Sequence, residues 1–320
     1  MTVVRLGKVR ELDAGAAGWG FFLCARKDVR TGRNGSEYLD LVLQDVTGEI
    51  RAKVFQDIEV IKQEFDAGEF VKVQGRGNLF NQRIELVLDK IRRVMPDRDR
   101  ADGFREEDCI PASPRPLDEM WEELEGRIAG VVDPHLRQLL QGMLNVHGDR
   151  LRVWPAAQTV HHAYRGGLLE HILQIMAVVI ALADLYGARR DLLIAGSLLH
   201  DIGKLEELSY GVATEYSVAG NLVGHIAIGV GMVRDAVREI PGFPEDLRLE
   251  LEHLILSHHG ARELGSPVEP MTVEAFLLAK ADDLDATIHQ VRKHLADDGG
   301  DGAFTSYNRR LDRVLYKRQT

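Results

Sequence analysis

The chain has 320 residues, 45% of them apolar and 28% charged, with a formal net charge of −10. That composition is globular and long enough for two ordinary domains, and it excludes a chain disordered throughout. The two cysteines, Cys24 and Cys109, lie far apart in no CxxC arrangement, which excludes a disulfide framework and a thiolate zinc site and suits a reducing compartment.

The start, MTVVRLGKVREL, carries charges every few residues and lacks the apolar centre of a signal peptide. The most apolar run, Ile172 to Ala183, is interrupted by Gln174 and reads as too short to span a bilayer. A cytoplasmic protein without a membrane partner is expected. The charge is uneven: residues 1–95 hold 16 Lys+Arg against 14 Asp+Glu, and the remainder holds 24 against 36. A mildly basic front part beside an acidic remainder is compatible with nucleic-acid binding, because local potential decides it.

Up to Val94, apolar residues alternate with polar ones. GFFLCARKDV, EYLDLVLQDV, GEIRAKVF, EFVKVQGRGNLF and QRIELVLDKIRRV predict five strands. Between the third and fourth, QDIEVIKQEFDAG has helical spacing and closes on Gly68 as a C-cap. Five strands with a helix in that place is the order of an OB-fold barrel, expected over residues 1–95. Residues 96–116, with four prolines and many charges, read as a linker. From residue 117 to 320 the period is helical, starting with LDEMWEELEGRIAG and PHLRQLLQGMLNV, and the tail YNRRLDRVLYKR reads as a short basic helix. The fold class is therefore multidomain, a five-stranded OB-fold barrel followed by an all-helical domain.

In the helical part, His171, His200 with Asp201, His225, His258 with His259, and Asp282 each fall on or beside an apolar helical run. Taken singly, each reads as a buried core residue with a hydrogen-bond partner. Taken together, five helices each placing an ionisable group against a core point to coordination, because such a group is costly there unless paired or ligated. Imidazole with carboxylate suits a first-row divalent ion, with Mn²⁺ or Fe²⁺ as suitable as Zn²⁺ where no thiolate is present. Neighbours on a helix point about 100° apart, so His200 and Asp201 do not easily offer equivalent ligands to one ion. A carboxylate can bridge two ions roughly 3.5–4 Å apart, which gives the adjacent pair a physical sense.

The order H…HD…H…HH…D resembles the HD-domain metal-dependent phosphohydrolases. HHAYRGGLLEHI, LLHDIGKLEEL, GHIAIG, LILSHHG followed by GSPVEPMTVEA, and ADDLDA, behind an OB-fold, resemble more narrowly the YhaM-type 3′→5′ exoribonucleases. The resemblance covers most of the chain. It implies metal ligation by His171, His200, Asp201 and Asp282, a second-metal set of His225, His258 and His259, and Lys204 facing a phosphate. Spacing leaves Asp282 and Asp285 both open as the last ligand, and the resemblance favours Asp282. Asp283 departs from the Asn expected there, and Lys280 can offset its charge.

The same resemblance implies a metal-dependent hydrolase, with Asp201 and Lys204 as its catalytic residues. It is expected to shorten single-stranded RNA from the 3′ end to nucleoside 5′-monophosphates by a metal-activated water, with single-stranded DNA as a second substrate. Two divalent ions are expected, Mn²⁺ first, with Fe²⁺, Ni²⁺, Co²⁺ or Zn²⁺ as alternatives. Arg165 and the amides around Gly166 and Gly167 are candidates for a neighbouring phosphate, against the plain reading of a tight connection. His161 and His162 are candidates for substrate contact or for support behind the ligands. On the barrel, Tyr38, Phe80 and Arg33 are candidates for the strand-binding groove, whereas Phe21 and Phe55 are expected in its core. A homo-oligomer is compatible with the sequence. The rival readings are an HD enzyme acting on small nucleotides or cyclic dinucleotides, and a non-catalytic single-strand-binding protein. No GYP signature accompanies His258–His259, which speaks against the cyclic-dinucleotide class, and a dead scaffold gives no reason for so many histidines.

Overall fold

Period-two alternation closes the barrel it predicts. In the computed structural model, which describes residues 4–32, 35–80, 83–158, 162–210 and 214–317, five strands form a closed barrel in the order β1-β2-β3-β5-β4. They are β1 (Ala17–Thr31), β2 (Glu37–Asp45), β3 (Gly48–Val54), β4 (Phe70–Phe80) and β5 (Arg83–Arg93). Side chains two residues apart share a face. Leu39, Leu41 and Leu43 of β2, Ala52 and Val54 of β3, and Val71 and Val73 of β4 therefore all point inward, none more than 1% exposed. β3 and β5 pair in parallel and the other neighbours antiparallel. Register slips at Cys24/Arg26 and Gln74/Gly75 bend the two longest curves of the sheet. This is the expected five-stranded OB-fold.

Four expectations are corrected in this part of the chain. The helix between β3 and β4 is only α1 (Ile58–Ile61). Beyond it Phe65 is wholly buried in the barrel core, so the chain leaves helical geometry to insert that ring. Gly68 does have a left-handed φ of +85°, but it turns the chain into β4, its amide donating to the Cys24 carbonyl, and caps no helix. Phe55 was expected inside and is 54% exposed. It follows the last residue of β3, where alternation no longer fixes the side. Phe21 is buried, but not in the barrel core where it was expected: alternation turns Phe22 inward, and Phe21 packs with Leu23, Val94, Phe104 and Cys109 in a separate cluster.

Phe104 and Cys109 belong to the stretch read as a linker. That stretch is folded, with α2 (Pro96–Asp99) and a 3₁₀ turn at Glu106–Asp108, and the first of two compact units runs from Met1 to Ala112. Asp99 fastens it. The side chain is fully buried, accepts from Arg92 Nη1 and Nη2 at 2.8 and 2.7 Å and from the Met95 amide at 2.8 Å, and lies 3.3 Å from Lys72 Nζ. The Arg92 guanidinium holds its carboxyl well below the usual carboxylate range. A carboxyl depressed in the folded state stabilises fully at pH values above its unfolded range and loses that contribution as pH falls through the folded value. Asp99→Ala should cost this unit about 2 kcal/mol at neutral pH, discounted because Arg92 and Lys72 reach water. A lower denaturation midpoint for the first unfolding transition of the full chain is the expected reading, and an unchanged midpoint would refute it.

The second unit, from Ser113 onward, is helical. It contains α3 (Leu117–Ala129), α4 (Pro134–Val153), α5 (Gly167–Tyr186), α6 (Arg190–Leu199), α7 (Lys204–Glu207), α8 (Val218–Val223), α9 (His225–Arg238), α10 (Glu245–Ser257) and α11 (Val273–Asp297). A two-stranded hairpin of β6 (Leu208–Tyr210) and β7 (Thr214–Tyr216) interrupts it. Helical spacing builds its core: Met120, Leu124 and Ile128 lie one turn apart on α3, and all three are buried. Caps are where the sequence puts them. The Asp133 side chain accepts from the His135 and Leu136 amides ahead of Pro134, and Thr272 accepts from Ala275.

α5 is the centre, packed against α3, α4, α6 and α11. The apolar run read as too short belongs to a 20-residue helix, which by length and composition alone could cross a bilayer. Its burial in the core of this unit and the ionisable Glu170 and His171 it carries account for its hydropathy. The tail is not helical among its described residues. Asn308 Oδ1 accepts from the Arg310 and Leu311 amides and Asp312 is left-handed, so the chain turns back. Bridges Phe304↔Tyr316 and Asn308↔Arg313 then pair its two arms.

Candidate metal centre

The candidate ligands sit mostly at helix ends. His171 lies one turn into α5, His200 is the residue that ends α6, and Asp201 follows in the turn before α7. His225 opens α9, His258 ends α10, and Asp282 lies on α11. The side chains converge. His171, His200 and Asp282 offer donor atoms within 4.8 Å of one another, and so do His225, His258 and His259.

Asp201 stands between these two sets. Its Oδ2 lies 3.5 Å from His171 Nε2 and 3.4 Å from His200 Nε2. Its Oδ1 lies 3.4 Å from His225 Nε2 and 3.7 Å from His258 Nε2. Asp282 Oδ1 is 3.3 Å from His171 Nε2. The Lys204 ammonium donates to Asp201 Oδ2 at 2.5 Å.

The far side of each ring is held. Nδ1 of His200 donates to the Ser197 carbonyl at 3.0 Å, and Nδ1 of His258 donates to the Ile255 carbonyl at 2.7 Å. Nδ1 of His225 is 3.1 Å from Glu207 Oε1, and Nδ1 of His171 is 2.7 Å from Asp285 Oδ2. A proton fixed on Nδ1 leaves Nε2 as the lone-pair nitrogen, and all four Nε2 atoms face Asp201. Burial drives His258 well below the ordinary imidazole range and lowers His259 as well, so both are neutral donors. For Asp201, burial works to raise the carboxyl, but its polar surroundings, the Lys204 ammonium foremost, outweigh that and hold it well below the usual range.

These residues fit a divalent ion on one observation above the rest. Asp201 Oδ1, His225 Nε2, His258 Nε2 and His259 Nδ1 are buried without a hydrogen-bond partner. Each such atom costs about 1–3 kcal/mol if nothing meets it, and four meeting at one point is the pattern of ligand atoms.

The remaining predicted residues fall elsewhere. Asp285 accepts behind the centre, with Oδ2 shared between His171 and His162 Nε2, 3.0 Å away, so it backs the ligands where Asp282 faces them. His162 is buried there too, 2.8 Å from the Tyr164 hydroxyl, which donates to Glu170 Oε2 at 3.0 Å. It supports His171 from behind and makes no surface for substrate. The amides of Gly166 and Gly167 are already used, donating to the Val153 and Tyr164 carbonyls at 3.0 and 2.9 Å. A Cβ at residue 167 would lie 2.0 Å from the His162 carbonyl oxygen. The two glycines make a tight connection rather than a phosphate cradle. Arg165 is half-buried and forms no ion pair among the described residues. His161 and Arg33 lie outside the described residues.

On the barrel, Tyr38 packs against exposed Phe55 with ring centroids 5.6 Å apart, and Lys53 Nζ lies 4.6 Å over the ring of Phe80.

Sequence reasoning missed two residues. Glu207 accepts from both the His225 amide, at 2.9 Å, and its ring. Its signal was its place three residues after Lys204, on the next turn of the same short helix. Gly203 lets α9 approach: a Cβ there would lie 2.0 Å from the His225 carbonyl oxygen and 2.7 Å from the Gly229 amide nitrogen. Its signal was a glycine in a buried turn with an ordinary φ, where only lack of space explains it.

A profile described as the HD domain matches residues 168–287, and one described as an OB-fold nucleic acid binding domain matches residues 24–94. The 3′-5′ exoribonuclease YhaM of Bacillus pumilus and that of Bacillus subtilis are each 36% identical over 263 residues, 82% of this chain and 82% of theirs. The protein of the same name from Listeria innocua is 34% identical over 276 residues, 86% of this chain and 87% of its own.

Proposed function

The chain belongs to the family of the YhaM 3′-5′ exoribonucleases, and from that premise we propose that it is a cytoplasmic, metal-dependent 3′→5′ exoribonuclease. Its substrate is single-stranded RNA, released as nucleoside 5′-monophosphates. The observation that carries the reading is Asp201, one carboxylate aimed with each oxygen at a different set of histidines, with Nε2 of His225 and of His258 and Nδ1 of His259 otherwise unmet beside Oδ1.

His171, His200, Asp282 and Asp201 Oδ2 would hold one divalent ion, and His225, His258, His259 and Asp201 Oδ1 a second; the mixed imidazole and carboxylate set suits Mn²⁺, Fe²⁺ or Zn²⁺, and the family resemblance puts Mn²⁺ first. When bound, such a pair lowers the pKa of water and stabilises charge on phosphoryl oxygens. The chain's own residues prepare for this. Asp285, Glu207 and the Ser197 and Ile255 carbonyls orient the rings. Lys204 keeps Asp201 ionised and adds a positive charge beside the place where a phosphate arrives. Phe55 and Phe80 are exposed rings on the barrel, with half-buried Tyr38 packed on the first and Lys53 over the second, a platform for stacked bases. A strand-binding domain favours a polymer over a small nucleotide.

The test offers 5′-labelled RNA, 5′-labelled single-stranded DNA, a deoxynucleoside triphosphate and a cyclic dinucleotide with Mn²⁺. A ladder shortening from the 3′ end of RNA is expected. Turnover of the small nucleotides alone would overturn the reading.

A further inference from the structure

Residues 113 onward are strongly acidic as a whole, yet their last described stretch is the reverse. Between Phe304 and Lys317 stand Arg309, Arg310, Arg313 and Lys317 against a single acid, Asp312. The segment is folded. Backbone bonds run from Thr305 N to Leu315 O at 2.8 Å, from Asn308 N to Arg313 O at 2.9 Å, and from Lys317 N to Ala303 O at 2.8 Å. It is tied to the end of α11: the His294 Nε2 donates to the Ser306 carbonyl at 2.8 Å. Asp298 accepts from the Ser306 amide at 2.9 Å and from Lys317 Nζ at 2.7 Å.

What this small hairpin shows to solvent is specific. Phe304, Tyr307 and Tyr316 are 58%, 57% and 60% exposed, the first and last meeting edge to face with centroids 5.6 Å apart. Arg309, Arg310 and Arg313 are exposed and form no ion pair among the described residues. Chains seldom fix three rings in water on a pinned hairpin for the sake of their own core, since here the buried member is Thr305. Guanidinium groups interleaved with exposed rings match a phosphate backbone with its bases, each ring or guanidinium plane stacking one base.

The hairpin is tied to the helix that also carries Asp282. Asp282 and His294 are twelve residues apart on one helix, about 18 Å along its axis, a length that a few nucleotides of extended strand cover. Between them Lys293 follows His289 by one turn and Arg292 adjoins it, both basic residues exposed and without an ion pair among the described residues.

We propose that the C-terminal hairpin is a second single-stranded RNA contact, which holds the strand while its 3′ end occupies the metal centre. The proposal rests on the exoribonuclease reading for its choice of RNA. It places strand grip on the catalytic unit itself, in addition to the barrel.

The test measures binding of a 5′-labelled oligoadenylate by the full chain, without added divalent ion, as a function of salt. Replacing Arg309, Arg310 and Arg313 together by Gln should weaken binding about tenfold at physiological salt. It should also lower the slope of log affinity against log salt by about 2, the value for three lost contacts on a single strand. The same three positions changed to Lys keep the charge and should keep the slope, and Tyr307→Ala with Tyr316→Ala should weaken binding with the slope unchanged. If the folded Gln variant binds with the parent's affinity and slope, the proposal is wrong. A change of oligomeric state with RNA affinity unaltered equally overturns it, in favour of a face for another copy of the chain. A parent that binds RNA without shortening it would sink the exonuclease reading and leave the hairpin result standing on its own.

Discussion

Asp201→Ala is expected to reduce RNA shortening by more than about 10³-fold and to empty the centre of tightly held metal. The magnitude follows from position. One carboxylate serves both histidine sets, so its removal subtracts an anionic donor from each at once. It also strands the Lys204 ammonium, whose partner it is, in a place where an unpaired charge is costly. Lys204 in Asp201→Ala is then a cation beside the ligand sites and repels what they should bind. Elemental analysis after manganese loading, beside the rate on RNA, reads both effects. Metal content and rate close to those of the parent would remove Asp201 from its central role. Asp282→Ala serves as the comparison, because it belongs to one set only and should leave the other set's donors complete.

Gly203→Ala should lower kcat/KM by about 10²-fold, although residue 203 offers no functional group. The methyl carbon would have to sit 2.0 Å from the His225 carbonyl oxygen, so α9 must back away and take the His225 ring with it. A shift of about 1 Å at a catalytic group is enough for a loss of that size, and overpacking a buried turn adds about 1–3 kcal/mol of instability. The two effects separate by measurement. Displacement of His225 appears as weaker metal binding well below the melting temperature, whereas simple instability appears as a lower melting point with intact affinity. Affinity and kcat/KM both at parental values would show that α9 does not depend on this contact.

The sequence carried the barrel and the ligand order for different reasons. Each strand of the barrel repeats its own instruction every second residue, so five independent alternations agree on one sheet. The histidines and aspartates were legible because five helical segments each set an ionisable group against an apolar face. What was not legible depends on distance across the fold. Asp282 and Asp285 lie one turn apart on the same side of α11, and only the rings opposite decide that one faces the centre and the other backs His171. Glu207 and Gly203 matter through contact with α9, some twenty residues further on. Composition misled over residues 96–116, where prolines and charges masked Phe104 and the anchor at Asp99. It misled again in the tail, where basic residues with helical spacing gave way to the turn that Asn308 imposes.

The placing of donors at helix ends has a wider consequence. His200, His225 and His258 sit where α6, α9 and α10 stop or start, and a helix end has no rigid neighbours of its own to fix it along the axis. Its position is set by how the whole rod slides against the others. Leu254, Leu278 and Gly196, which meet between α10, α11 and α6, are therefore the bearings of this machine as much as its filling. A core substitution that lets one rod slip by a fraction of a turn would detune the geometry long before the fold gave way. In such a protein, precision is a property of the packing, and wear in the core is felt first at the reaction centre.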